Sequence, residues 1–117
     1  MRKHKLKEAP RLSSLEEDLL ALLKERELYG LAILEAVKDV EGRSRSIGVG
    51  SLYPTLYKLE KLGLVSSKWG EDRPEERGHA RRRYYTTTPE GALALEAAQA
   101  RRKQYLAWQP IPVLQGG

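Results

Sequence analysis

The stretch of sequence that decides the fold is Gly50-Ser51-Leu52-Tyr53-Pro54-Thr55-Leu56-Tyr57-Lys58-Leu59-Glu60-Lys61-Leu62-Gly63-Leu64-Val65. Its leucines recur at helical spacing, so that Leu52, Leu56, Leu59 and Leu62 lie on one side. The opposite side carries tyrosines, a proline and lysines, without a matching group of carboxylates. Gly63 can then end the helix and lead into a strand. The stretch predicts an amphipathic helix over residues 49–62 that is followed directly by a strand.

The segment after this helix predicts a β-hairpin with a basic return strand. Residues 64–69 form the first strand and residues 81–87 the second, which begins Arg81-Arg82-Arg83-Tyr84-Tyr85. Between them, residues 70–80 are too polar and too interrupted by Gly and Pro for regular structure. A helix followed by a two-stranded ribbon with a basic return strand is the arrangement with which a winged helix-turn-helix holds DNA.

Two further helices precede the deciding stretch. Ser14-Leu15-Glu16-Glu17 has the form of a capping box, and leucines at helical spacing extend the first helix to about residue 26. A second helix begins near Leu31 and ends at Gly42. If the third helix begins near Ser51, Pro54 falls in its first turn, where a missing N–H costs no helical bond. The second and third helices form the helix-turn-helix pair.

The last helix begins at Thr88-Pro89, with threonine as N-cap, and extends to about Gln109, before Pro110. A helix of this length has little of so small a domain to cover, so we expect it to pack on a second subunit. Packing on the first helix of the same chain is the alternative. The sequence thus divides into a basic disordered arm (1–12), a winged helix-turn-helix domain (13–88), a dimerisation helix (89–109) and a loose tail (110–117). The expected fold class is mainly α with a small β-hairpin (α+β).

Composition narrows the classes of function. A chain of 117 residues is expected to form one domain, and its net charge of +5 favours anionic partners, nucleic acid first. The absence of cysteine excludes disulfides, zinc–thiolate sites and thiol nucleophiles. His4 and His79 have no partners at metal-ligand spacing, and no catalytic constellation is readable. We therefore expect a cytoplasmic protein without catalytic residues, metal, cofactor or membrane span.

The candidate DNA contacts come from the third helix and the hairpin. Tyrosine hydroxyls can bond phosphates, and lysines favour phosphates or guanine. The helix face lacks arginine and asparagine, so phosphate contacts are expected to supply much of the affinity. The alternative is an ordinary amphipathic helix with a solvated face. The hairpin and its arginine run, which follow the helix, argue against that alternative. The candidates are Ser51, Tyr53, Pro54, Tyr57, Lys58 and Lys61 in the helix, and Arg73, Arg77, Arg81, Arg82 and Arg83 in the hairpin.

These pieces together resemble the PadR family of bacterial transcription regulators. The matching motifs are Leu28-Tyr29-Gly30, Gly50-Ser51-Leu52-Tyr53-Pro54-Thr55-Leu56, Leu59-Glu60-Lys61-Leu62-Gly63-Leu64-Val65, Trp69, Arg81-Arg82-Arg83-Tyr84-Tyr85 and Thr88-Pro89-Glu90-Gly91, within about residues 14–100. The chain looks most like the short subclass with a single C-terminal helix. Its hairpin resembles that of cyanobacterial members, one of which is a circadian regulator.

The resemblance implies a homodimer that represses a promoter by binding double-stranded DNA at an inverted repeat. The dimer would be built on the last helix and helix one, through Leu15, Leu19, Leu93, Leu95, Ala98, Arg102 and Tyr105. Two other functions remain open: a ligand-sensing dimer with a pocket between the C-terminal helices, and a winged-helix module that binds protein. Some short members bind flat aromatic drugs between aromatic residues at the dimer centre. Residues 97–102 lack an aromatic, so a small-molecule effector is possible but unsupported.

Overall fold

A computed structural model describes residues 9–70 and 82–112 of the chain. It shows four helices and three short strands within these ranges. They are α1 (Ser14–Leu22), β1 (Leu28–Tyr29), α2 (Gly30–Glu41), α3 (Val49–Lys61), β2 (Val65–Trp69), β3 (Arg83–Thr87) and α4 (Pro89–Ala107). The α+β winged helix-turn-helix with a long C-terminal helix is confirmed. The division into arm, DNA-binding domain, dimerisation helix and tail stays a prediction.

The sheet has one strand more than the sequence predicts. Its order is β1-β3-β2, and both neighbouring pairs are antiparallel. In the added strand, Leu28 lies opposite Tyr85 and Tyr29 lies opposite Tyr84. Two residues are too few to show an alternating pattern, so only their pairing with β3 identifies them as a strand. β1 leads directly into α2 and ties the helix-turn-helix pair to the hairpin.

Helix α1 begins at Ser14, as predicted, but its N-cap is Ser13 and it ends at Leu22, before the predicted end near residue 26. The capping box is formed by Ser13 and Glu16: the Glu16 N–H donates to Ser13 Oγ at 3.1 Å, and the Ser13 N–H donates to Glu16 Oε1 at 2.8 Å. The prediction that placed the box at Ser14 and Glu17 was wrong by one residue. The helix stops at Leu22, and the carbonyl of its C-cap Leu23 accepts hydrogen bonds from β3 as well as a longer one, at 3.5 Å, from the Arg26 N–H.

Three consecutive threonines make this connection, and we call Thr86, Thr87 and Thr88 the threonine junction. The Thr87 N–H and the Thr86 hydroxyl both donate to the Leu23 carbonyl, at 3.0 and 3.2 Å. The Thr87 hydroxyl donates to the Leu20 carbonyl at 2.8 Å. These carbonyls lie at the end of α1, where no helical N–H is available, so the junction satisfies them.

The same junction holds the end of α3 and the start of α4. The Thr88 hydroxyl donates to the Gly63 carbonyl at 2.7 Å, and the Thr88 N–H donates to the Leu64 carbonyl at 3.0 Å. The Thr88 hydroxyl also accepts from the Gly91 N–H at 3.0 Å, as the predicted N-cap of α4. Gly91 packs directly on the Leu64 carbonyl, where an added Cβ would lie 2.0 Å from the oxygen. Glycine is therefore required at this close approach.

The core lies between α1, α2, α3, the sheet and the first half of α4. Its members are Leu19, Leu20, Leu23, Ile33, Val37, Leu52, Leu56, Leu59, Leu64, Val65, Tyr85, Ala94 and Leu95. Helix α3 enters it with Leu52, Leu56 and Leu59, as predicted, but Leu62 is the C-cap of the helix and is 47% exposed, so its predicted place on the core side was wrong. Its N-cap is Gly48, so Pro54 lies beyond the first turn and not within it. The Gly50 carbonyl loses its usual helical donor there, on an exposed residue that water can reach.

Helix α4 packs on α1 of its own chain, which was the alternative to packing on a second subunit. The buried residues of α4 are Gly91, Ala94, Leu95 and Ala98. Beyond them only Arg101 is half-buried, and the other residues up to residue 112 are exposed. The helix ends at Ala107, before the predicted end at Gln109, because Trp108 already has extended backbone angles ahead of Pro110.

We expect Gly91→Ala to destabilise the fold, because its methyl group would overlap the Leu64 carbonyl. Overpacking of this kind costs about 2 kcal/mol, which urea denaturation followed by circular dichroism can measure. Gly50→Ala is the matched control, since an added Cβ there meets nothing within 4 Å. Equal stability of the two variants would contradict the close approach of α4 to the α3–β2 turn.

Candidate nucleic-acid interface

The outward face of α3 is set by the burial of its leucines. Leu52 and Leu59 are fully buried, and this turns Tyr57, Lys58 and Lys61 to the surface. The Tyr57 side chain is 64% exposed, and Lys61 Nζ lies 5.5 Å from the centre of its ring. Two further predicted contacts, Ser51 and Pro54, are also exposed on α3. The helix therefore presents phenol and ammonium groups together, as its sequence predicts.

Tyr53 combines exposure with a packing role. Its ring is partly exposed, but its hydroxyl end lies over Gly30, the first residue of α2. A Cβ at Gly30 would lie 1.8 Å from Tyr53 Oη, so the ring needs the glycine in order to lie there. Tyr53 thus fixes the approach of α3 to α2, the two helices of the helix-turn-helix pair. The loop between α2 and α3 is fixed by Arg45, which forms ion pairs with Asp18 of α1 and Glu41 of α2.

Lys58 is held by a carboxylate from α1. Its Nζ lies 2.8 Å from Oε2 of Glu16, the residue that also closes the capping box of α1. Glu16 is 5% exposed, whereas the Lys58 side chain is 60% exposed. Burial raises the pKa of Glu16, but the Lys58 ion pair and the Ser13 hydrogen bonds outweigh it, so the pKa is lowered. The charge of Lys58 is therefore partly neutralised by Glu16, and Lys61 is the more available cation of the two.

Arg82, which precedes β3, and Arg83, the first residue of β3, point to opposite faces of the sheet. Arg82 stacks on Tyr29, with its guanidinium carbon 4.5 Å from the ring centre, and Tyr29 meets Tyr84 edge to face at 5.6 Å. Arg83 lies on the face towards α3, where it contacts Trp69 and an acidic residue of α3. The remaining predicted arginines of the hairpin, Arg73, Arg77 and Arg81, lie outside the described residues.

A groove of about 500 Å³ separates α3 from the sheet. Its lining residues are Tyr53, Tyr57, Glu60, Lys61, Arg83 and Tyr85. Burial raises the pKa of the Tyr85 phenol, so this buried wall of the groove stays neutral. Sequence reasoning missed Glu60 as a member of this groove, and it missed Trp69 and Tyr29 as the aromatic partners of Arg83 and Arg82. The alternation of β3 places Arg83 with Tyr85 on one face, but nothing in the sequence pairs that face with Glu60.

The residues predicted for dimerisation fall into three groups. Leu19, Leu95 and Ala98 are buried in the core of their own subunit, so the structure gives them the role of holding α4 on α1. Leu15 is half-buried, and Arg102 forms an ion pair with Glu17 of the same chain at 2.9 Å. Leu93 and Tyr105 are 51% and 72% exposed, so they are the apolar and aromatic members of the set that a partner could cover.

Within residues 9–70 and 82–112, no group of three or more His, Cys, Asp or Glu side chains could hold a metal ion. None of the helices in this part of the chain is long and apolar enough to cross a membrane.

We expect Glu16→Gln to lower stability at neutral pH, because the ionised carboxylate gains Lys58 and the Ser13 cap only in the folded state. Its lowered pKa gives stability that is present above the ordinary value of 4.5 and is lost as the pH falls through the folded value. The difference between wild type and variant should therefore shrink in acid, as followed by urea midpoints across pH. Glu35→Gln, at an exposed position of α2, is the control. A difference that stayed constant down to strongly acidic pH would contradict this role of Glu16.

Comparison with known proteins assigns the family. The model of the Transcriptional regulator PadR-like family matches residues 19–97, whereas no curated protein matched the chain. A PadR-like transcription factor from Bacteroides fragilis is similar at 25% identity with a TM-score of 0.69, covering 89% of this chain and 90% of that one. A PadR family transcriptional regulator from Eggerthella lenta is 30% identical with a TM-score of 0.67, covering 80% and 75%.

A third similar structure is that of Bacillus subtilis PadR in complex with operator DNA. It is 25% identical with a TM-score of 0.60, and the match covers 87% of this chain but 52% of that longer one. The helix-turn-helix pair, the hairpin and the C-terminal helix are therefore shared with regulators of known structure. On the extent of the family match, the chain belongs to the PadR-like family of transcriptional regulators.

Proposed function

We propose that this regulator is a homodimeric repressor that binds an inverted-repeat promoter site through α3 and the wing, which comprises β2, β3 and the segment between them. The observation that carries the proposal is the surface formed by α3 and β3. Tyr57 and Lys61 of α3 share one groove with Arg83 of β3, so phenol, ammonium and guanidinium groups converge on one side of the subunit. Groups of these kinds bind the phosphates and base edges of DNA.

In this proposal α3 enters the major groove and the wing lies on its flank. Ser51, Pro54 and Tyr57 would meet DNA along the exposed face of α3, and Lys61 would meet a phosphate from its last turn. Arg82 stands on the opposite face of the sheet, stacked on Tyr29, and is exposed to a flanking phosphate. Lys58 would contribute less, since Glu16 already neutralises part of its charge. The operator complex of Bacillus subtilis PadR supports DNA as the partner.

The proposed dimer uses the part of α4 that the subunit leaves uncovered. After Ala98 no residue of α4 is buried in its own subunit, yet apolar side chains lie at the end of the helix and just after it. Leu106 is 81% exposed, Trp108 69% and Ile111 86%. Neighbouring exposed apolar groups of this size mark interaction surfaces. A second copy of the same surface, related by a twofold axis, would cover them and would match the symmetry of an inverted repeat. Such a regulator would act in the cytoplasm, where its promoter lies.

Selection of bound sequences from a random pool of duplex DNA tests the proposed function. The expected result is enrichment of an inverted repeat whose half-sites are about one helical turn apart. A single, unrepeated half-site would contradict the dimeric mode of binding. Absence of any enrichment at low salt, with a stable protein partner in pull-down, would instead favour the protein-interaction module. A pocket between the α4 helices that binds small molecules would favour the ligand sensor.

We expect Leu106→Glu to shift the protein from dimer to monomer, because it places a charge within the proposed apolar contact. The side chain is 81% exposed, so the subunit itself should stay folded. Sedimentation equilibrium measures the change, and affinity for the selected operator should fall with it. Val40→Glu, at an equally exposed apolar position of α2 (80%), is the control and should remain dimeric. A Leu106→Glu protein that is still fully dimeric would place the subunit contact elsewhere.

A further inference from the structure

We infer that Glu60 is a positioning residue that fixes Arg83, and with it β3, relative to α3, so that both can meet one DNA sequence together. The inference rests on the DNA binding proposed above and adds a determinant of specificity. Glu60 lies on α3, in the groove between Lys61 and Arg83. It is a carboxylate on the surface assigned to DNA, where its charge opposes binding to phosphates. The contacts of Glu60 within the subunit indicate what compensates for this unfavourable charge.

The contacts join three elements of the structure. The Ser67 hydroxyl of β2 donates to Glu60 Oε2 at 2.6 Å and accepts from Arg83 Nε at 2.9 Å. Arg83 Nη2 lies 3.4 Å from the same Glu60 oxygen. A single hydroxyl thus bridges a carboxylate of α3 and a guanidinium of β3. Bonds to ionised groups are shorter and stronger than neutral ones, so this bridge is a well-defined one.

Trp69 is a further contact of Arg83. The guanidinium carbon lies 5.2 Å from the centre of the Trp69 ring, on the strand that also carries Ser67. Arg83 nevertheless remains 40% exposed, and Glu60 31%. The guanidinium is therefore held in place by its neighbours while part of it stays open to a phosphate. An arginine prepared in this way loses less conformational freedom when it binds.

Two roles of Glu60 predict different changes in binding. If Glu60 merely repels phosphate, its removal strengthens binding to all DNA equally. If it positions Arg83, its removal leaves a free cation, which still supports sequence-independent binding to phosphates. Specific binding would then weaken, because α3 and β3 would no longer be held at the spacing that one operator requires. The ratio of specific to non-specific affinity separates the two roles.

The experiment compares wild type with Glu60→Gln and Ser67→Ala in the full chain. Affinity is measured for the operator selected above and for unrelated duplex DNA of equal length, at several salt concentrations. We expect the specificity ratio to fall about tenfold in both variants, the equivalent of one charge-assisted hydrogen bond. Affinity for unrelated DNA should be unchanged or higher. Ser67→Thr keeps the hydroxyl and should keep the ratio, and Glu35→Gln, on the exposed side of α2, controls for loss of one negative charge.

A second measurement follows Arg83 without DNA. The chain has two tryptophans, so Trp108→Phe leaves Trp69 as the only one. In that background Glu60→Gln should change the Trp69 fluorescence, because the guanidinium no longer lies over the ring. Circular dichroism confirms that each variant is folded. An unchanged ratio of specific to non-specific affinity, or equally stronger binding to both DNAs, would overturn the role inferred for Glu60 but leave the proposed DNA binding intact. Unaltered Trp69 emission would have the same consequence. A wild-type chain without sequence preference would overturn the DNA-binding proposal as well.

Discussion

The structure depends on the hydrogen bonds of the threonine junction. Three adjacent residues join the end of α1, the turn between α3 and β2 and the first turn of α4, all through backbone carbonyls or N–H groups. Helix ends carry unpaired carbonyls that must be satisfied when they are enclosed by protein. In this protein the sheet supplies the donors. The position of β3, and hence of Arg82 and Arg83, is therefore fixed by the same bonds that end α1.

This arrangement couples stability to the presentation of charge. Lys58 on α3 is paired with Glu16 of α1, and Arg83 on β3 is linked through Ser67 to Glu60 of α3. In both cases an acid from a neighbouring element holds a cation that was predicted to meet DNA. Part of the formal positive charge is thus used inside the subunit. On the surface formed by α3 and β3, the charge left for a partner is that of Lys61 and of the exposed portion of Arg83.

Helix α4 divides into two halves with different surroundings. Its first half, with Ala94, Leu95 and Ala98, is bound to α1 through small and apolar side chains. Its second half extends beyond that support and carries Tyr105, Leu106 and Trp108 at the surface. A single helix therefore combines a contact within the subunit with a surface left for another molecule. Of the two expectations for α4, packing on its own chain describes the first half of the helix, whereas packing on a second subunit is the proposal made for the second half.

The sequence by itself determined the helix-turn-helix pair, the hairpin, the final helix and the family. The helices and strands could be predicted because periodicity reports which face of each element is buried: Leu52, Leu56 and Leu59 specify the core side of α3, and so its exposed side. The family was indicated separately, by the resemblance of whole motifs. Only the tertiary structure decided where α1 ends, that Leu28 and Tyr29 form a strand, and which acids meet Lys58 and Arg83. These features depend on partners distant along the chain, such as Thr87 for Leu23 and Glu16 for Lys58. A local pattern contains no information about such partners until the elements are packed together.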